Sequence, residues 1–102
     1  MIHVVAIITA KPGQREAILT RFRANVPAVH AEQGCIEYAP VIDVPDAGPM
    51  QAKLGEDSFM VIEKWESVEA LQAHAASPHM TAYGASTKDM TASRAVHVLS
   101  EA

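Results

Sequence analysis

From Ile2 to Ala10 apolar side chains occupy both alternating sets of positions: Ile2, Val4, Ala6 and Ile8 in one, Val5 and Ile7 in the other. A strand that is apolar on both sides needs both faces covered, which predicts a central strand. Lys11, Pro12 and Gly13 make a turn, and from Gln14 to Ala31 the period becomes helical. Ile18, Phe22, Val26 and Val29 form the apolar stripe, with Arg15, Glu16 and Arg23 largely off it. Pro27 interrupts this stretch; it is expected to remove one hydrogen bond and bend the last turns.

Glu32, Gln33 and Gly34 stop that helix, and Cys35 to Asp43 reads as a second strand. Asp43 to Asp57 carries two prolines and two glycines, the composition of a long loop. A loop of that length is expected to be mobile or functional, and Met50 to Glu56 is a candidate cover for a binding pocket. Ser58 to Glu66 predicts a third strand with Phe59, Val61, Glu63 and Trp65 on one face and Lys64 on the other. Ser67 is placed to cap a short helix over Val68, Leu71 and Ala75. Ser77 followed by Pro78 restarts a helix, along which Met80, Tyr83, Thr87 and Met90 share a face. Ser93 to Leu99 is the last strand.

The resulting order is βαββαβ, an α+β arrangement with an antiparallel, ferredoxin-like sheet. Right-handed crossovers put both helical segments on one side of that sheet. The other side is bare, yet the first strand is apolar there too. A bare apolar sheet face of this size marks a protein interface, which predicts a homodimer with sheets packed face to face.

Composition narrows the functions. At 102 residues, with 49% apolar residues, the chain reads as one domain from residue 1 to 102 with a proper core. The net charge of −4 comes without any basic run, so nucleic acid is not an expected partner. No apolar stretch approaches the ~20 residues of a membrane span, and the apolar start reads as a strand, not a signal peptide. The lone Cys35 forms no intrachain disulfide, which fits a cytoplasmic protein. The five glycines are too scattered for a dinucleotide fingerprint.

A handful of side chains remain to carry chemistry. His79 sits at the second position of the helix begun by Ser77 and Pro78, where the positive dipole end disfavours an imidazolium. A neutral ring there accepts a proton from a phenol or merely bonds a backbone group. Tyr83 lies one turn on and offers a donor to the same pocket. His74 borders Leu71 and Ala75 and faces inward or outward with equal reason. Trp65 is read either as core or as a cavity wall offering its indole N–H to a ligand. Glu63, if it faces inward, needs a partner or a raised pKa; Arg94 or a histidine is the expected partner, and a general base the alternative. His74 and His79 lie five apart across a helix break with no third donor suggested nearby, so no metal site is expected.

The segment VIEKWESVEALQAHAASPHM, from Val61 to Met80, combines with the opening MIHVVAIITAKPGQ and the later EQGCIEY. Together they resemble the antibiotic-biosynthesis-monooxygenase domain family, and the likeness runs from Met1 to Leu99. Trp65 matches the family's aromatic position, and His74 and His79 match histidines common in its quinol-monooxygenase branch. The resemblance implies a dimeric α/β barrel and a cofactor-independent monooxygenase acting with O2 on a quinol or similar small aromatic. In that reading His79 or His74 is the base, Glu63 its partner, and Trp65 and Tyr83 hold the substrate. An alternative with the same fold is a non-enzymatic dimer that binds a small molecule. Haem binding fits less well: Gly84 and Ala85 stand where haem-degrading relatives place a ligating histidine. The strand asparagine of other branches is also absent, since Ala6 stands there and the only asparagine is Asn25 on the first helix.

Overall fold

The computed structural model describes residues 1–102. Strand β1 (Ile2–Ala10) is central, as its doubly apolar pattern requires. It pairs antiparallel on one side with β3 (Ser58–Trp65) and on the other with β4 (Thr91–Leu99). β2 (Cys35–Val41) closes the far edge against β3, giving the order β2-β3-β1-β4. Helix α1 (Arg15–His30) joins the first two strands, and α2 (Val68–Ala75) and α3 (Pro78–Thr87) join the last two. A 3-10 turn at Lys88–Met90 leads into β4.

The expected α+β, ferredoxin-like fold is therefore the one observed, with small shifts at element ends. β2 stops at Val41 and not at Asp43, while β4 begins at Thr91, ahead of the expected Ser93. Two serines start the later helices as their positions predict: Ser67 Oγ accepts from the Ala70 N–H, and Ser77 Oγ from that of Met80.

The core lies between the sheet and the helices. Ile18, Leu19, Phe22 and Val29 of α1 are buried against Val4, Phe59 and their neighbours. Phe22 stacks on Tyr38 with ring centroids 5.0 Å apart and meets Phe59 edge-on at 5.9 Å. Cross-strand register sets which residues share this face: Val4 stands opposite Glu63 and Val98, and Ala6 opposite Val61 and Val96. The helices do not reach across to β4, so Val96 and Val98 remain about half exposed although they belong to the helix-side face. On the reverse face Val5, Ile7, Met60 and Ile62 form an apolar patch with no helix over it.

The long loop is braced by its own residues and anchored at its end to Gly13 and Ala10. Both Asp43 carboxylate oxygens accept from the chain itself, at the N–H of Leu54 and of Gly55, each 2.9 Å away. Gln51 Nε2 closes the loop further onto the Val44 carbonyl. Bound to its own backbone in this way, the loop does not extend over the cavity described below, against the expectation that Met50 to Glu56 would cover one. On the reverse face His3 lies opposite Leu99 and contacts Glu101, while His97 lies opposite Val5.

One glycine controls how the helices dock. Gly34 has φ +85°, and a Cβ placed on it would stand 2.6 Å from the Ala70 Cβ of α2. Backbone and helix touch there only because no side chain intervenes. Gly34→Ala is expected to destabilise the protein by at least about 2 kcal/mol, combining left-handed strain with a steric clash. Gly13→Ala, at φ +78° with nothing within 4 Å, should show the backbone penalty alone, about 1 kcal/mol. Urea unfolding of the two variants measures the difference; equal losses would mean that the α2 contact contributes nothing.

Candidate active site

The cavity follows from the incomplete helical cover. It encloses about 560 Å³ between the helices and the sheet, within the range of small-molecule sites. Its walls are mainly apolar, from Phe22, Val61, Leu71 and Met80, and it opens along β4, where Ala92, Ser93 and Arg94 are exposed. Glu63, His74, Tyr38 and Tyr83 supply its polar groups.

Glu63 faces the interior because β3 alternates, and it is only 7% exposed. Its partner is neither Arg94 nor a histidine: the indole N–H of Trp65, two residues along the same face, donates to Glu63 Oε1 at 2.9 Å. Burial pushes the Glu63 carboxyl up from its ordinary range, against the opposing effects of the Trp65 hydrogen bond, the nearby His74 and Arg94. Trp65 is fully buried and does not line the cavity. The expected wall with a free indole donor is thus corrected, because that N–H already holds Glu63 in place. Burial likewise raises the Tyr83 phenol, to about 12, so it stays a hydroxyl donor at neutral pH. Tyr38 is raised for the same reason, with Glu63 adding to the shift.

His74 is turned inward by α2 and is 4% exposed. Its ring lies 4.6 Å from that of Trp65 and 5.4 Å from that of Tyr38. Its Nδ1 is 2.8 Å from Glu32 Oε2, and an ionised carboxylate only accepts, so Nδ1 carries the proton. Nε2 has no partner in the chain and is left to the cavity. His79 approaches the same Glu32 oxygen, Nε2 to Oε2 at 2.8 Å, from a position that does not line the cavity. The nearest formal charge to His79 is therefore the carboxylate, not the helix end. Ser77 ties the two helices together, donating to the His74 carbonyl at 2.7 Å while capping α3.

Of the expected site residues, Glu63, His74 and Tyr83 line one cavity, and Trp65 and His79 stand behind it. Glu32 was missed. It sits in the turn after α1, 42 residues before His74, and nothing in the local sequence distinguishes it from any acid at a helix end. With it, the absence of a third donor beside His74 and His79, on which the expectation of no metal rested, no longer holds.

In sequence and in fold the chain matches known proteins over most of its length. The family model described as antibiotic biosynthesis monooxygenase matches residues 1–86. The chain belongs to that family. It is 43% identical over 90 residues to the Escherichia coli (strain K12) protein named Probable quinol monooxygenase YgiN, covering 86% of each chain. Among solved structures, PA3566 from Pseudomonas aeruginosa superposes with a TM-score of 0.80 at 27% identity, over 99% of this chain and 93% of that one. Rv0793 from Mycobacterium tuberculosis gives a TM-score of 0.80 at 25% identity, over 99% and 94%.

The raised Glu63 carboxyl generates a prediction with a definite sign. Because its folded-state pKa lies above the unfolded one, folding takes up a proton in the window between them, and native stability falls as pH rises through it. Among the groups facing Glu63, Glu32 adds to the rise and His74 and Arg94 lower it, while Tyr38 stands opposite it on β2. Glu63→Gln keeps an acceptor for Trp65 without the charge. Its thermal midpoint should exceed the parent's at pH 8, and that advantage should vanish below the ordinary carboxylate range. An advantage that grows toward acid would mean that Glu63 is stabilised as the anion.

Proposed function

We propose that the protein is a homodimeric monooxygenase that uses O2 to oxidise a quinol or related small aromatic in this cavity, without a cofactor taking part in the chemistry. The observation that carries the reading is His74: its Nδ1 is held by Glu32 and its Nε2 is free in an apolar cavity beside Glu63 and Tyr83. The quinol monooxygenase named among the relatives supplies the substrate class.

The chemistry balances without an external reductant. A quinol and O2 give a hydroxyquinone and water: one oxygen atom enters the ring, the other leaves as water, and the substrate supplies all the electrons. The first requirement is loss of a phenolic proton, because the anion is electron-rich enough to pass an electron to O2. The neutral His74 ring, with its lone pair on Nε2, accepts that proton, and Glu32 steadies the imidazolium that results. The Tyr83 hydroxyl is available to donate to the phenolate, and the apolar walls keep water from competing for it. Glu63, tethered by Trp65, accepts from the second hydroxyl of the substrate. His79 touches Glu32 but not the cavity, so of the two histidines His74 is the proposed base.

The homodimer rests on the uncovered patch of Val5, Ile7, Met60 and Ile62, and a second copy of this patch is the cover we propose. The lone, partly buried Cys35, free of any disulfide, agrees with a cytoplasmic setting.

Two measurements test this reading. Oxygen uptake with a panel of hydroquinones should persist after exhaustive chelation, since the electrons come from the substrate. His74→Gln should then lower kcat by ~10²–10⁴-fold and Glu32→Gln should also reduce it. Uptake that depends on added metal, or a fully active His74→Gln, would overturn the mechanism. Light scattering should give the mass of a dimer at micromolar concentration, and Ile62→Lys, on the bare face, should shift it to monomer. A monomeric parent protein would leave the apolar face without its proposed cover.

A further inference from the structure

Glu32, His74 and His79 come from three separate elements: the turn after α1, the last turn of α2 and the first turn of α3. Their donor atoms lie within 4.8 Å of one another, and a single carboxylate oxygen stands 2.8 Å from a nitrogen of each ring. Two imidazoles and one carboxylate are a ligand set typical of zinc. The two bridging protons occupy the space a metal would take. In a tetrahedral site with bonds of ~2.0–2.1 Å the donors are about 3.3 Å apart. The 2.8 Å pairs then open by roughly half an ångström once those protons leave, and the two ring nitrogens, within 4.8 Å of each other, close toward the same spacing.

The surroundings favour such a site. His74 is held between the rings of Trp65 and Tyr38, and the Ser77 hydroxyl lies 3.3 Å from His79 Nε2. Glu32 and His79 are only partly buried, with side-chain exposures of 14% and 29%, so an ion has a path from solvent. A carboxylate between two imidazoles also supplies the negative charge that a divalent ion needs.

We propose that Glu32, His74 and His79 form a binding site for a divalent transition ion of the zinc type. The ion binds His74 through Nδ1, the edge directed at Glu32 and away from the cavity, so its open positions do not face the substrate. It is therefore not an oxygen-activating centre. Its effect on His74 is tautomeric: a ring ligated at Nδ1 carries its proton on Nε2, and the nitrogen facing the cavity changes from acceptor to donor. Metal and phenolic substrate thus make opposite demands on the same ring. This consequence rests on the base role proposed above, whereas the metal site itself does not.

Binding of Zn2+ to the untagged, metal-free protein, followed by competition with a chromogenic chelator, tests the site without any turnover assay. The expected result is one Zn2+ per chain, with Glu32→Gln and His79→Ala each weakening it by at least about 10–100-fold. Co2+ should give visible absorption bands of a low-coordinate nitrogen and oxygen site in the parent protein and lose them in both variants. His79 is only partly buried, and circular dichroism checks that His79→Ala remains folded; His79→Asn serves as a second variant. His3→Ala and His97→Ala, remote on the other face, should bind as the parent does. Absence of saturable binding, or binding unchanged by Glu32→Gln and His79→Ala, overturns the proposal.

Discussion

The helices of this chain leave the β4 edge of the sheet uncovered, and much of this molecule follows from that shortfall. α1 packs mainly over β2 and reaches β1, α2 meets β3, and α3 packs on α1, so none of them closes over β4. The helix-side residues of β4, Val96 and Val98, are consequently left about half exposed. What would have been core is instead a cavity about 560 Å³ in size with an apolar lining. The same one-sided layering leaves Val5, Ile7, Met60 and Ile62 uncovered on the reverse face, so the cavity and the proposed association surface have a common geometric origin.

Within that layout the close approach of the 32–34 turn to α2 decides the electrostatics. Gly34 lets its backbone lie against Ala70, and its carbonyl accepts the Glu66 N–H at 2.9 Å, fixing the turn to the end of β3. Glu32 is thereby delivered to the base of α2 and the start of α3, where both histidines find the same carboxylate oxygen. The Ser77 hydroxyl closes the arrangement by linking the end of α2 to the start of α3. A carboxylate shared in this way defines which nitrogen of His74 carries a proton, and hence what the cavity meets. The same oxygen that orients the proposed base also completes the proposed set of metal donors.

The two acids of the site are kept distinct by their surroundings. Glu63 is buried among apolar side chains, and its one strong partner is a neutral indole, so burial dominates and its carboxyl is shifted upward. Glu32 lies nearer the surface with two imidazoles against it. Environment and not residue type thus separates a carboxyl pushed upward by burial from one paired with two imidazoles. Trp65 contributes indirectly: it fixes Glu63 through its N–H and supports the His74 ring through its face.

The fold was legible in the sequence because its determinants are periodic and local. The double apolar set of Ile2 to Ala10 placed β1 in the centre, Ser67 and Ser77 marked the helix starts, and the alternation of Phe59 to Trp65 put Glu63 and Trp65 on the inner face. The inward aim of Glu63 followed from that same alternation. Its partner did not, because the charged Arg94 and histidines looked better suited than an indole two residues away. The separation of His74 from His79 was equally out of reach. Both are histidines near a helix break, and the folded chain puts one in the cavity wall and leaves the other out of it. Glu32 left no local trace at all, since its role comes from a contact across 42 and 47 residues of chain, made where Gly34 admits α2. Patterning by period and capping therefore determined the elements and their inward faces. Tertiary packing alone decided which polar atoms met, because hydrogen-bond partners a few ångströms apart depend on helix positions that no periodicity encodes.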